Sequence, residues 1–342
     1  MSTIEMIRDS AAAVAPRGGD FSRIRALRFT RPGFDPAVWR EMGEMGWIGL
    51  RVAEDACGTG LGMAEYVALA EEMGRGLVPE PLLQGVLSAA LLEGCGDADG
   101  LAALLEGKAL PLTAWQEAPD TLVAPGSVEA PRLFLPMAAG ASGFLLPVRE
   151  DGGMALFAAE GTPDIVETQD GGHYGTLRTA PGARLGTLPA GLLDRALDEA
   201  TLATAAMLLG VMEGAFAMTL DYLRTRQQFG KPIGSFQALQ HRAVDLKIQI
   251  ALTRASVEAA AATLDAGATE AARRAAVSRA KHRAAEAALL VTREAVQMHG
   301  AIGYTDEYDV GLYLRKAMVL SNQFGSPSLH RRRYVACAEA EV

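Results

Sequence analysis

Phe236-Gln237-Ala238-Leu239-Gln240-His241-Arg242-Ala243-Val244-Asp245-Leu246-Lys247-Ile248-Gln249-Ile250 is the stretch whose reading decides the fold. Phe236, Leu239, Ala243, Leu246 and Ile250 recur at alternating intervals of three and four, which places them in one stripe along an α-helix and marks a bundle or a subunit interface. The same alanine-rich, breaker-poor texture extends over about 193–226, 235–266, 268–299 and 306–336. The spacing therefore predicts four long helices with short connections, and such a set closes into a bundle.

Upstream, between about 111 and 181, the pattern changes to short apolar runs such as Arg132-Leu133-Phe134-Leu135-Pro136 and Gly143-Phe144-Leu145-Leu146-Pro147-Val148, separated by glycine-rich turns. These read as strands of a small β unit. Further upstream, from Asp35 to Leu105, helical spacing returns: Trp39, Met42, Met45 and Trp47 open one helix, Tyr66, Leu69 and Met73 line another, and Pro79 with Pro81 ends the second. Asp55 to Gly62 reads as an ordinary interhelical loop, since its glycines lack the spacing of a dinucleotide fingerprint. The expected architecture is mainly α: an N-terminal helical domain over 1–110, a small, truncated β domain over 111–186 and a C-terminal four-helix bundle over 187–342.

Composition narrows the function classes. A formal charge of −9 disfavours a general nucleic-acid binder, which needs a positive surface to displace counterions. Cys57, Cys95 and Cys337 are odd in number and far apart, fitting neither a disulfide framework nor a metal cluster. Acidic Glu5 and Asp9 and the lack of a continuous apolar core near the N-terminus fit neither a secretory signal nor a transit peptide, and no uninterrupted apolar run reaches the roughly 18 residues of a membrane span. A cytoplasmic location is expected, with no membrane span and no nucleic acid partner.

Three local signatures occur in order along the chain. The first is Trp39-Arg40-Glu41-Met42-Gly43-Glu44-Met45-Gly46-Trp47-Ile48-Gly49-Leu50, followed by Gly60-Leu61-Gly62, Glu71-Glu72-Met73-Gly74-Arg75 and Pro79-Glu80-Pro81. The second is Arg224-Thr225-Arg226-Gln227-Gln228-Phe229-Gly230-Lys231-Pro232-Ile233, followed by Phe236-Gln237 and Gln240. The third is Gln297-Met298-His299-Gly300-Ala301-Ile302-Gly303-Tyr304-Thr305. Together they resemble the acyl-CoA dehydrogenase family over nearly the whole length, most weakly in the β unit.

The resemblance implies FAD as cofactor and an acyl-CoA thioester as substrate, dehydrogenated between its alpha and beta carbons, with an electron-transfer flavoprotein as acceptor. It carries cofactor contacts onto Arg226, Gln228, Phe229, Gln297, Gly300 and Ala301, placed beside the FAD of a neighbouring subunit, and onto Ser326. The chemistry of these residues agrees: an arginine offers a planar, permanently charged fork to a pyrophosphate, and a glycine frees backbone groups at a helix end. Taken alone, Arg226 also reads as a cation near a helix C-terminus and Phe229 as a core residue.

The sequence departs from the family where the family keeps its base. The frame Glu-Gly-Thr, followed by an apolar residue and an arginine, is here Phe324-Gly325-Ser326, Leu329 and Arg331, so phenylalanine holds the base position. The alternative position on the first bundle helix falls on Ala200, followed by Thr201. Glu199 and His330 remain as candidate relocated bases, Glu199 being turned about 100° from the required face. His299 reads as a hydrogen-bonded structural or subunit-contact residue. In the β unit, Leu112-Thr113-Ala114-Trp115-Gln116-Glu117 and Phe134-Leu135-Pro136-Met137 stand where flavin contacts are sought, and Pro136 lacks a backbone N–H.

The resemblance thus points to the short, base-lacking subunit of a heteromeric acyl-CoA dehydrogenase, a heterotetramer in which a larger subunit carries the catalytic glutamate. Such members act on bulky substrates, fatty or sterol side-chain thioesters. Two alternatives stay open: a homomeric flavoenzyme with a relocated base, and a noncatalytic scaffold subunit.

Overall fold

The structure is a computed structural model that describes residues 2–15, 19–126 and 129–339. In chain order its elements are helices α1 (Thr3–Ala11), α2 (Ser22–Leu27), α3 (Pro36–Glu44), α4 (Met63–Arg75), α5 (Leu82–Cys95) and α6 (Ala98–Leu105); strands β1 (Pro111–Thr113), β2 (Arg132–Pro136), β3 (Gly143–Glu150), β4 (Gly153–Ala159), β5 (Asp164–Glu167), β6 (His173–Leu177) and β7 (Arg184–Leu188); helix α7 (Leu192–Thr225); strands β8 (Gln227–Gln228) and β9 (Lys231–Pro232); and helices α8 (Gln237–Asp265), α9 (Glu270–His299), α10 (Ala301–Tyr304), α11 (Val310–Leu320) and α12 (Pro327–Glu339). These fall into two compact units that do not follow chain order: residues 22–66 with 79–200, and residues 1–21 with 67–78 and 201–342.

In the first unit, α3 starts where Asp35 accepts a 2.8 Å hydrogen bond from the Ala37 N–H, with Pro36 in the first turn. Trp39 and Met42 are buried on it, whereas Met45 and Trp47, expected on the same helix, lie past its end, which Gly46 turns with φ +73°. Helix α5 is buried on all sides and packs against α6, β1 and β7. The β unit occupies the expected range, with seven strands between Pro111 and Leu188. One sheet runs β1-β3-β4-β7, with β1 and β3 parallel and the other pairs antiparallel; a second, antiparallel sheet runs β2-β6-β5.

The second unit is the helical bundle. Helices α4 and α7 cross at Gly74 and Gly210: a Cβ on Gly74 would lie 2.0 Å from the Met207 carbonyl oxygen, and one on Gly210 would lie 1.8 Å from that of Glu71. Only glycines let the two backbones approach this closely. Beside the crossing, buried Glu71 accepts hydrogen bonds from Arg8 at 2.9 Å, Arg75 at 2.8 Å and Arg254 at 2.6 Å, while Glu213 pairs with Arg75 and Arg254. Burial alone would raise the Glu71 carboxyl; hydrogen bonds from Arg254 and Arg8 outweigh it and hold its pKa down at about 2.

The three long helices of the bundle match the expected ranges to within a residue or two. By length and composition α7 could cross a bilayer, but 83% of its most apolar window is buried in the protein. On α8 the Phe236–Ile250 stripe faces inward, with Leu246 and Ile250 fully buried, while a second ridge, Val244, Ile248 and Leu252, is about half exposed. The fourth expected helix, 306–336, is two helices, α11 and α12. The chain breaks at Ser321–Ser326 because Gly325 takes φ +98° and Pro327 opens the next helix, a residue that cannot continue the preceding one.

Candidate functional site

The end of α7 turns straight into a hairpin. The Arg226 N–H donates to the Tyr222 carbonyl at 2.8 Å and the Arg226 carbonyl accepts from Ile233 N–H at 2.8 Å, closing the base of the β8–β9 pair. Phe229 and Gly230 form its tip with φ +53° and +77°. Two consecutive positive φ values define a tight hairpin turn that favours Asn-Gly, so a bulky aromatic is locally strained there. Burial does not account for it: Phe229 is 89% exposed and meets the edge of the Phe236 ring, 6.2 Å between centroids. Lys231 covers the face of Phe236 at 4.4 Å.

An aromatic cluster ties this hairpin to the C-terminus of α9. Tyr222, one helical turn before Arg226, stacks on His299 at 4.5 Å, and Tyr308 leans on both, 4.9 Å from His299 and 6.0 Å from Tyr222. His299 is buried; its Nδ1 faces the Ala295 carbonyl at 2.7 Å, and burial pushes its pKa down. The ring is therefore a neutral packing element whose Nδ1–H donates to that carbonyl. Next to it Gly300 takes φ +66° and ψ −141°, a region closed to other residues, and a Cβ placed there would meet nothing within 4 Å. Its need for glycine is conformational, and the space above it is open.

One end of the bundle thus brings together six of the residues picked out from the sequence: Arg226, Gln228, Phe229, Gln297, Gly300 and Ala301, all exposed. Among the described residues the Arg226 guanidinium has no carboxylate partner, and Ile302 and Tyr304 add exposed apolar surface, Tyr304 being 89% exposed. An unpaired cation, amide groups, open backbone and exposed aromatic surface can hold an anionic, partly aromatic ligand such as a dinucleotide. Tyr222 and Tyr308, which hold this end together, were not singled out from the sequence. Tyr222 had a signal, its i to i+4 spacing from Arg226.

Ser326 and the base-position residues lie elsewhere. Phe324, Ser326 and His330 gather beside Lys281, 18 residues before His299 on α9 and so about 27 Å away along the helix. Ser326 Oγ accepts from the Leu329 N–H at 3.2 Å, acting as a helix cap. His330, a candidate relocated base, is completely buried although Arg331, Arg332 and Arg333 follow it: its Nε2 faces the Phe324 carbonyl at 2.8 Å, and burial together with the Lys281 charge pushes its pKa down to about 3. Phe324 is buried with φ +54°. In the other unit, both Glu199 oxygens accept from Arg51 at 3.1 Å, and Ala200 is buried.

The β-unit stretches where flavin contacts were sought are already engaged within the chain. Thr113 Oγ1 hydrogen-bonds Ser88 Oγ at 2.9 Å, Glu117 pairs with buried Arg132, and Pro136 takes its place in the β2–β6 ladder. The hydroxyl of Thr113 and the carboxylate of Glu117 each have a partner, whereas at the bundle end Arg224 pairs with Asp221 and, among the described residues, Arg226 pairs with no carboxylate.

Comparison with known proteins places these features. Residues 2–101 match the family model described as acyl-CoA dehydrogenase, N-terminal domain, and residues 191–336 match acyl-CoA dehydrogenase, C-terminal domain. The chain is 32% identical over 339 residues to acyl-CoA dehydrogenase IpdE2 of Mycolicibacterium smegmatis, covering 99% of this chain and 98% of that one. Among solved structures it is similar to a variant of the Tcur3481-Tcur3483 steroid ACAD, with a TM-score of 0.87, 28% identity and coverage of 99% and 97%. In fold it matches the ChsE4-ChsE5 complex from Mycobacterium tuberculosis, with a TM-score of 0.85 at 24% identity, covering 100% and 98%.

Proposed function

Because the chain belongs to the acyl-CoA dehydrogenase family, we propose that it is the base-lacking subunit of a heteromeric, FAD-dependent enzyme of that family, lending cofactor contacts to a larger partner that carries the catalytic glutamate. The observation that carries this reading is Phe229: a strained aromatic, 89% exposed, beside an arginine with no carboxylate partner among the described residues. Strain of this kind persists where something else over-determines it, and among the described residues Phe229 meets no more than the edge of Phe236. A second molecule seated on the hairpin supplies the missing contacts.

In this reading Arg226 would hold the FAD pyrophosphate, Gln228 and Gln297 would add amide hydrogen bonds, Phe229 would lie against the adenosine half, and the backbone at Gly300 and Ala301 would complete the cradle. A bound flavin would supply hydride acceptance, and the base for the proton alpha to the thioester would come from the partner, the product being a trans-2-enoyl-CoA. Phe324 and Ala200 can take no proton, Glu199 is held by Arg51, and His330 is buried and neutral, so none of this chain's candidates is poised as a base. The likeness to a steroid ACAD of two named components supports a steroid-derived thioester as substrate and assembly with a second, different subunit, which we take to be a heterotetramer. An electron-transfer flavoprotein is the acceptor in this scheme.

The test is flavin absorbance per polypeptide, measured on the chain alone and after co-expression with a larger acyl-CoA dehydrogenase subunit. Flavin and turnover are expected only in the mixed complex. Near-stoichiometric flavin with turnover from the chain alone overturns the proposal and favours a homomeric enzyme. Unchanged flavin in a mixed complex carrying Arg226→Ala favours a scaffold.

A further inference from the structure

Helix α8 is apolar on two opposite faces, and the described residues cover one of them. Leu246, Ile250, Thr253, Val257, Ala260 and Ala261 are buried, on the side that packs against α9. About half a turn away, Val244, Ile248, Ala251, Ala255 and Ala259 follow one another at intervals of four, three, four and four, with Leu252 beside them. All six are exposed, Val244, Ile248 and Leu252 at 57%, 49% and 53%. A helix at a protein surface ordinarily turns charged residues outward, and one that is apolar all round is covered. From Val244 to Ala259 this seam rises about 22 Å.

The seam is graded in size. Its N-terminal half carries Val244 and Ile248, its C-terminal half Ala255 and Ala259, and Ala251 with Leu252 stands at the centre. A second copy of α8 laid antiparallel, about a two-fold axis between Ala251 and Leu252, sets Val244 level with Ala259 and Ile248 level with Ala255, so that bulk meets space at each step. A parallel copy would set bulk on bulk at one end and alanine on alanine at the other. The charges follow the same rule. Lys247 and Glu258 are three turns apart and therefore flank the seam on one side, and the two-fold axis brings Lys247 of one copy within about 3 Å, measured along the helix, of Glu258 in the other. Among the described residues Lys247 has no carboxylate partner, while Glu258, 62% exposed, meets Arg254 at 3.5 Å. Val244 and Lys247 also wall an open groove of about 560 Å3 between α7 and α8, lined further by Phe216, Leu220 and Ile250, which leaves room for a neighbouring helix at the flank of the seam.

We propose that the exposed seam of α8 is a self-association surface, pairing two copies of this chain antiparallel, α8 against α8. The inference stands apart from the shared-site reading, because none of the residues assigned to the cofactor lies on α8. A complex in which a larger subunit sits on the hairpin is joined to its twin through this seam.

Sedimentation equilibrium of the full chain alone, with circular dichroism to confirm folding, measures the pairing. A monomer–dimer equilibrium at micromolar concentration is expected, weakened at least tenfold by Ile248→Glu and several-fold by Lys247→Glu or Glu258→Lys, with the double reversal restoring it. Register is read with cysteines in a Cys57→Ser background, which removes the exposed native thiol. Ala251→Cys, next to the axis, should oxidise to a covalent dimer, whereas Val244→Cys, about 22 Å from its twin, should not. In the co-expressed complex Ile248→Glu should halve the copies of this chain per particle and leave flavin per copy unchanged. A chain that stays monomeric at the highest soluble concentration, or cross-linking through Val244→Cys in place of Ala251→Cys, overturns the inference. Loss of the larger subunit from the Ile248→Glu complex assigns the seam to that subunit and overturns it equally. Absence of flavin from the unsubstituted complex would overturn the shared-site reading and leave this inference standing.

Discussion

Phe229→Asn separates the stability of the chain from its function. In the left-handed region a non-glycine L-residue costs about 1–2 kcal/mol, a cost that asparagine largely avoids, and Asn-Gly is the preferred pair for this turn. Little is lost in exchange, because Phe229 is 89% exposed and its contact with Phe236 is an edge at 6.2 Å. Set against an aromatic pair worth about 0.5–1.5 kcal/mol at most, the balance favours the variant by about 0.5–1 kcal/mol. For a chain of this size that is a rise of about 1–3 °C in midpoint. The assay is thermal denaturation of the chain alone, paired with flavin content of the mixed complex. The expected result is a more stable chain whose complex holds FAD at least several-fold more weakly. A lowered midpoint would refute the strain argument, and undiminished flavin would refute the role assigned to the exposed ring.

Other substitutions probe the remaining links. Gly210→Ala forces a methyl into the Glu71 carbonyl, 1.8 Å away, and should cost about 3 kcal/mol or more in a urea titration, since two backbones must separate. Arg226→Lys keeps the charge but loses the planar fork, and the mixed complex should lose flavin about tenfold in equilibrium dialysis. Acid should unfold the bundle in two windows. His330, neutral in the fold down to about pH 3, is protonated in the unfolded chain below about pH 6.5, so its contribution is present above that value and lost as the pH falls through the window. Glu71, held at about 2 against an unfolded value near 4.5, contributes on the order of 3 kcal/mol above pH 4.5 that is lost as the pH falls toward 2. His330→Gln should flatten the first slope and Glu71→Gln the second, read from denaturation midpoints against pH.

Much of the architecture is legible in the order of residues. The inward stripe on α8, the alanine-rich α9, the proline and glycine stops and the β-rich middle all follow from periodicity within windows of ten to twenty residues. The break at 321–326 was carried by two local signals, Gly325 and Pro327, that were outweighed by the helical texture on either side. The number and pairing of the strands in the β unit were not legible, because short strands such as β5 and β7 lack a strong alternating pattern and are defined by their pairing partners.

The sequence by itself determined the family likeness, the helical bundle and the absence of a carboxylate at either usual base position, since each rests on residue identity and short-range spacing. Tertiary structure decided which candidates share a place. It set Arg226, Gln228, Phe229, Gln297, Gly300 and Ala301 at one end of the bundle through the Tyr222, His299 and Tyr308 stack, and it placed Ser326 as the cap of α12 and His330 in the interior against the Phe324 carbonyl. It also tied Arg8 and Arg254 to Glu71 across 63 and 183 residues of chain. Burial and long-range contact have no signature in local spacing, so a histidine flanked by three arginines reads as solvated until the packing of α12 on α9 excludes water from it.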